Sequence, residues 1–289
     1  MIKNIAVFGS TDFLDLPITM SLADAGYNVS VMAKDAEAAR AVFPANINIV
    51  EGNLYYHHDL KRFLSTQDAV YCSLSIDMKE RPDDFHSETD GLREIINVSL
   101  ECGIKRIAYL SSILQYNQVD GENNWWVFGV KKDAVNYVRD CGIPFTIFYA
   151  STFMENFLST YKKGKIISHV GVSRFPIYFI SVSDYAKSVV NSFKRLGTED
   201  EEYFLQGMDC YTMQEAARIF IKHYTKENLK FQTFPMWMAK FLAIFSNKWK
   251  FIAELSEALN NNNEIFVAES TWEALGRPEV RLVDFAKNS

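Results

Sequence analysis

Short apolar, β-branched runs punctuate the first half of the chain: IAVFG, NVSVMA, INIVEG, AVYCSLS, RIAYLSS and PFTIFYA. Stretches of helical length separate them. Each carries apolar residues at three-and-four spacing, as at Leu92, Ile95, Ile96, Ser99 and Leu100 ahead of a turn at Cys102 and Gly103. Six strands joined by helices predict an α/β fold with a doubly wound parallel sheet. Right-handed crossovers then place the loops that follow the strands along one edge, where such sheets bind ligands.

After Ser151 the rhythm changes. Shorter extended runs (KIISHV, FPIYFIS, EYFLQG) mix with helices expected over 182–193, 213–224, 236–245 and 251–259. The organisation expected is a main domain over 1–150 and a smaller α+β domain over 151–289, packed over the ligand edge, with some segments returning to the first. The asparagine run at 260–263 reads as a helix-ending loop. The most apolar stretch, FPMWMAKFLAIF, is broken by Lys240 and falls short of the roughly 20 residues that a membrane span needs. It reads as a buried or pocket-covering helix, with contact to a membrane surface as the lesser alternative. The opening MIKNIAVFG runs directly into a strand, which leaves no room for a signal peptide.

Composition narrows the classes further. Of 289 residues 48% are hydrophobic and 23% charged, as in ordinary globular proteins. A net charge of -6, with the 30 basic residues scattered, argues against nucleic acid as the partner. Four cysteines (Cys72, Cys102, Cys141, Cys210) lie far apart without a C-x-x-C pair, so neither a disulfide framework nor a zinc site is indicated. Reduced, mostly buried thiols in a cytoplasmic protein are expected.

The first strand runs into GSTDFLD, where a strand, a glycine turn and a helix N-terminus would make an anion site. Only Gly9 is a glycine; Asp12 and Asp15 stand where further glycines would let backbone approach a pyrophosphate and helix pack on strand. A carboxylate near a helix N-terminus gains about 0.3–1 kcal/mol. Against a phosphate roughly 4 Å away it loses about 4 kcal/mol at an effective dielectric of 20. Two readings stay open: the aspartates cap the helix in the anion's place, or a weakened dinucleotide site survives. Pro17, tolerated only in a first helical turn, predicts a helix that begins near Asp15 rather than at Phe13.

The ordered set GSTDFLD, AKD, EGNL, YCSLS, YLSS, KKDAVNYVRDCGIPFTIFYASTFMENF, FISVSDYAKSV, EYFLQGMDCYTMQEAARIF and TWEALGRPEVRLVDFA covers nearly the whole chain. It resembles the NmrA-like branch of the atypical short-chain dehydrogenase/reductase superfamily. That resemblance implies a Rossmann-like NAD(P)-binding domain and a smaller domain that shapes a substrate pocket. It makes Gly9, Ser10, Thr11, Asp12, Phe13 and Leu14 the phosphate loop, and Lys34 the residue that meets a 2′-phosphate, favouring NADP. Asn53 falls beside the adenine, Ser73, Leu74 and Ser75 along the ribose, and Tyr149 completes the cofactor contacts.

The superfamily's catalytic Tyr-x-x-x-Lys pair and helper serine match only in part. Lys131 is the lysine and Ser111 or Ser112 the serine, but Val127 and Phe128 occupy the tyrosine's place in the two registers, leaving Tyr116 as the nearby phenol. The implied activity is an NADP-dependent reductase or isomerase of a small apolar molecule. The alternative is a non-catalytic sensor or binding protein with a weak or lost dinucleotide site and a small ligand, a protein partner or a second copy as its target.

Three weaker signals are set aside. His57 and His58 lack further ligands at metal spacing and read as helix-start surface residues. Ser111 and Asp184 lack the G-x-S-x-G elbow of a hydrolase. Tyr149, Phe153, Phe157, Trp237 and Phe241 read as pocket wall or ordinary core.

Overall fold

The structure, a computed structural model, describes residues 2–9, 14–115, 125–195, 197 and 199–289. All six expected strands form: β1 (Asn4–Gly9), β2 (Asn28–Ala33), β3 (Asn48–Glu51), β4 (Ala69–Ser73), β5 (Arg106–Ser112) and β6 (Phe145–Ala150). They pair in parallel in the order β6-β5-β4-β1-β2-β3. The connections are α1 (Asp15–Asp24), α2 (Ala36–Val42), α3 (His57–Leu64), α4 (Leu92–Cys102) and α5 (Trp126–Arg139). Helices cover both faces of the sheet, and every position of its central strands β4 and β6 is buried. Gly103 ends α4 with φ +71°, a left-handed conformation that glycine adopts without a Cβ penalty.

The second half supplies β7 (Thr152–Phe153), β8 (Lys162–Lys163), β9 (Ile166–Val170), β10 (Ile177–Ile180), β11 (Glu201–Leu205), β12 (Asp209–Tyr211) and β13 (Lys230–Phe234). Its helices are α6 (Val182–Arg195), α7 (Met213–His223), α8 (Met236–Ala243), α9 (Asn247–Asn261), α10 (Glu269–Leu275) and α11 (Leu282–Asn288). Among the described residues two three-stranded sheets form here, β12-β10-β7 and β13-β9-β8. The remaining strand, β11, returns to the first sheet as its seventh strand, parallel to β6 with Leu205 opposite Ala150. Helix α6 likewise returns and packs against α1.

Helix α1 starts at Asp15 with Pro17 in its first turn, as the proline required. The capping expected of the aspartates is not what holds that end: Leu14 is the N-cap residue and the helix has no side-chain cap. Asp15 stands inside the first turn, where the dipole favours it.

Four other expectations are corrected. Leu100 is 52% exposed, so the apolar stripe of α4 narrows to Leu92, Ile95, Ile96 and Ser99. Asn260 and Asn261 belong to α9 rather than to a loop. Asn260 is buried; its Oδ1 accepts a bond from His169 Nε2 at 2.6 Å and its Nδ2 donates to the Val170 carbonyl at 2.9 Å. Helix α8 is not covered: Trp237 is 69% and Phe241 55% exposed, because one side of it rests on α9 and the other faces outward. All four thiols are free, and only Cys72 is fully buried. Among the described residues no helix is long and apolar enough to cross a membrane.

Candidate functional site

The C-terminal edge of the main sheet carries two cavities that meet at Leu74. One, of about 350 Å³, lies over β1, β2 and β3 and is lined by Gly9, Ala33, Lys34, Gly52 and Leu54 among others. The Lys34 ammonium sits 5.2 Å from the centre of the Tyr55 ring, which fixes it at the cavity mouth. The other, of about 340 Å³, lies over β4, β5 and β6. Its polar wall contains Ser73, Ser75, Ser111, Lys131, Ser151 and Glu264, and its apolar wall includes Leu110, Phe153, Leu255 and Leu259.

Lys131 reaches the second cavity from α5, but it does not stand alone. Its Nζ donates to Oε1 of Glu88 at 2.6 Å, and the Tyr109 hydroxyl donates to the same oxygen at 2.8 Å. Glu88 lies in a single π-helical turn, Ser87–Gly91, ahead of α4, and its side chain has no exposed surface. Such a turn inserts a residue into the helical ladder and re-aims a side chain; here it turns Glu88 inward. Burial, and after it the Glu88 charge, holds the Tyr109 phenol far above its ordinary range. Ser111 Oγ accepts a bond from Gln115 Nε2 at 2.9 Å, which orients the hydroxyl at the cavity wall.

At the opening loop, Asp15 packs directly on Gly9: a Cβ at Gly9 would lie 2.6 Å from Asp15 Oδ2. A side chain at position 9 would therefore push the Asp15 carboxyl from its place. The carboxylate is buried and acts on the phenols of Tyr71 and Tyr185, which hydrogen-bond each other at 3.1 Å. Burial raises both phenols, and the Asp15 charge adds to the shift.

Of the residues expected at the site, the structure brings Gly9 and Lys34 to the first cavity, Leu74 to both, and Leu14, Ser73, Ser75, Ser111 and Lys131 to the second. Ser10, Thr11, Asp12, Phe13 and Tyr116 lie outside the described residues. Two of the expected residues line neither cavity. Asn53 turns its Oδ1 back to accept from the Tyr55 N–H and is not among the cavity's lining residues. Tyr149 is fully buried beneath the edge, stacked on Phe204, and its hydroxyl donates to Glu202. It points away because β6 alternates and Ala150 and Ser151 take the edge positions. Of the aromatic group only Phe153 lines the cavity; Phe157 is core. His57 begins α3 and pairs with Glu94 and Glu101, and among the described residues no cluster suits a metal ion.

Sequence reasoning missed Glu88, Ser151 and Glu264. Glu264 is 6% exposed; its carboxyl accepts from Gln206 Nε2 at 2.7 Å and from the Tyr178 N–H at 3.3 Å, and its Oε2 lies 3.0 Å from Ser151 Oγ. Burial pushes its carboxyl up to about 7 against the lowering effect of those bonds. A lone glutamate in a loop carries no periodic or motif signal, and its partners come from three distant segments.

A dinucleotide laid along this edge would meet a lysine at one end and serines with a second lysine at the other, so the donor set at both ends suits one. A curated reductase of Streptomyces griseus, (4-alkanoyl-5-oxo-2,5-dihydrofuran-3-yl)methyl phosphate reductase, is 26% identical over 216 residues, 73% of this chain and 70% of that protein. Among solved structures, the NADPH-dependent quinone oxidoreductase of Escherichia coli complexed with NADPH aligns with TM-score 0.74 at 17% identity, covering 98% of this chain and 99% of that one. The triphenylmethane reductase of Citrobacter sp. complexed with NADP(H) aligns with TM-score 0.71 at 14% identity over 99% of each chain. The UDP-glucose 4-epimerase of Bifidobacterium longum in complex with NAD+ and UDP does so with TM-score 0.76 at 13% identity, over 99% of this chain and 96% of that one. Those structural likenesses establish the fold, and the model of the NmrA-like family matches residues 1–274: the chain belongs to the NmrA-like family.

Proposed function

We propose that this protein is a reductase that binds a nicotinamide dinucleotide, NADP(H) in preference to NAD(H), and acts on a small, largely apolar carbonyl compound. The observation that carries the reading is the pair of cavities that meet at Leu74, with Lys34 at one end and Ser111 and Lys131 at the other. The curated relative of 26% identity is itself a reductase, and neighbours of the same fold are complexed with NADPH or NADP(H). In this reading residues 1–150 form the dinucleotide-binding domain and 151–289 shape the substrate pocket. Lys34 meets the 2′-phosphate, Ser73 and Ser75 flank the ribose, Lys131 holds the ribose hydroxyls and Ser111 polarises the substrate carbonyl. A bound dihydronicotinamide would supply the hydride.

The second reading, a binding or sensor protein without turnover, is favoured by the Asp15 carboxylate packed on Gly9 and by Glu88, which engages Lys131. Calorimetric titration with NADPH, NADP+, NADH and NAD+ separates the two. Micromolar binding with preference for the phosphorylated pair, lost in Lys34→Ala, is the expected outcome. No binding up to millimolar nucleotide would overturn the reductase reading.

A further inference from the structure

The chain has no tyrosine four residues before Lys131 or Lys132, so a carbonyl reduction in this cavity needs another proton source. The sheet's own edge supplies one. Strands β5, β6 and β11 end side by side, with Ser112 opposite Ala150 and Ala150 opposite Leu205. The next residues along the edge are Ser151 and Gln206, and both hydrogen-bond Glu264. Ser151 and Glu264 line the same cavity as Ser111 and Lys131.

The bonding around Ser151 requires one proton more than its hydroxyl holds. Ser151 Oγ lies 2.6 Å from the Tyr178 carbonyl oxygen and 3.0 Å from Glu264 Oε2. A carbonyl oxygen only accepts, and the hydroxyl has a single hydrogen. With Ser151 donating over the shorter distance to Tyr178, the contact with Glu264 is a hydrogen bond only when Glu264 is protonated and donates to Ser151.

We propose that Glu264, relayed by Ser151, is the proton donor of the cavity, serving a carbonyl substrate with an apolar body. The inference rests on the reductase reading above. As hydride adds to the carbonyl carbon, the electron pair of the C=O π bond moves to oxygen. The Ser151 hydroxyl turns from the Tyr178 carbonyl to that oxygen and gives it its proton, Ser151 takes the proton of Glu264, and Glu264 is left as a carboxylate that regains its proton from water. The hydride comes from the reduced nicotinamide, so the sum is carbonyl, reduced dinucleotide and one proton giving alcohol and oxidised dinucleotide.

Burial places the carboxyl near 7, where a general acid is both loaded and willing to give its proton at neutral pH. The ionisable groups that face it are Tyr178 on β10 and Cys210 on β12, both raised chiefly by burial and so kept neutral, while Lys131 and Asp15 stand at other walls of the cavity.

The test has two readouts. Infrared spectroscopy of the purified protein, without nucleotide, should show protonated-carboxyl absorption that titrates near pH 7, and the native-minus-Glu264→Gln difference should retain a band of one carboxyl beside the contribution of Glu155; no such difference band overturns the proposal. With NADPH and a panel of apolar aldehydes, ketones and quinones, native kcat should fall above about pH 7. Glu264→Gln and Ser151→Ala should each lower kcat by about a hundredfold, with KM little changed and the alkaline limb gone. Ser151→Ala leaves the carboxyl in place and serves if Glu264→Gln fails to fold. NADPH binding with kcat and pH profile unaltered in both variants overturns the proton donor alone. No nucleotide binding overturns the reductase reading and the relay with it, and the infrared titration then still decides whether Glu264 holds a proton.

Discussion

Lys131 Nζ lies 2.6 Å from Oε1 of Glu88, a carboxylate with no exposed surface. A buried ion pair adds little net stability, but breaking it by removing one partner leaves an uncompensated charge, which costs about 3–5 kcal/mol. Lys131→Met should therefore destabilise the protein by an amount in that range, and Lys131→Met with Glu88→Gln should recover most of it. Urea unfolding of the single and double variants measures the difference. Equal losses in both would show that the pair is not what holds Glu88.

Stability should fall as pH rises from about 4.5 to about 7. Glu264, ordinarily near 4.5, is raised to about 7 chiefly by burial. The folded state therefore binds a proton that the unfolded chain has released over this interval. The contribution is fully present below the unfolded value and lost as pH passes the folded one, in total about 3 kcal/mol. Glu155, also raised to about 7 chiefly by burial, acts in the same direction. Unfolding midpoints measured across this interval should show a shallower decline in Glu264→Gln than in the native protein.

Asp15 bears on the dinucleotide site through charge more than through shape. Asp15→Asn keeps the packing on Gly9 and removes the carboxylate, whose repulsion of a phosphate is on the order of 4 kcal/mol at about 4 Å and an effective dielectric of 20. With part of that screened by solvent, NADP(H) should bind about tenfold tighter. Unchanged affinity in calorimetry would mean that the carboxylate is shielded from the phosphates.

Two glycines give opposite expectations. A Cβ at Gly207 would fall 1.7 Å from the Phe179 carbonyl oxygen, a backbone contact that cannot rotate away, whereas at Gly129 in α5 nothing lies within 4 Å. Gly207→Ala should cost about 3 kcal/mol or more and displace Gln206 from Glu264. Gly129→Ala should stabilise by roughly 0.5–1 kcal/mol through helix propensity. Thermal unfolding of both variants reads out the contrast.

The strands and the later start of α1 were legible because each has a local cause, a run of apolar residues or a proline in a first turn, whereas the serines at the edge were named only through the family resemblance. Glu88 was not, because a π-helical turn that reverses one side chain leaves no periodic mark. Glu264 was not, because its environment is assembled from Ser151, Tyr178 and Gln206, which are brought together only by the folded sheet edge. Helix α8 misled in the other direction: an apolar stretch reads as buried, yet Trp237 and Phe241 face outward. Tyr149 misled by one residue of register, which in a strand exchanges one face of the sheet for the other.

The parallel seating of β11 beside β6 also bears on how the chain fares while it is being made. Strand β6, FTIFYA, is apolar and wholly buried in the finished protein, yet it is synthesised well before the strand that covers its outer side. Until β11 arrives, that side is an unpaired edge, a template for adding a strand from any neighbouring chain. Arg106, on β5, holds the segment that leads into β11: its guanidinium donates to the carbonyls of Gly197 and Glu199. A lesion in that latch, far from the ligand-binding edge, would express itself first as aggregation during biosynthesis.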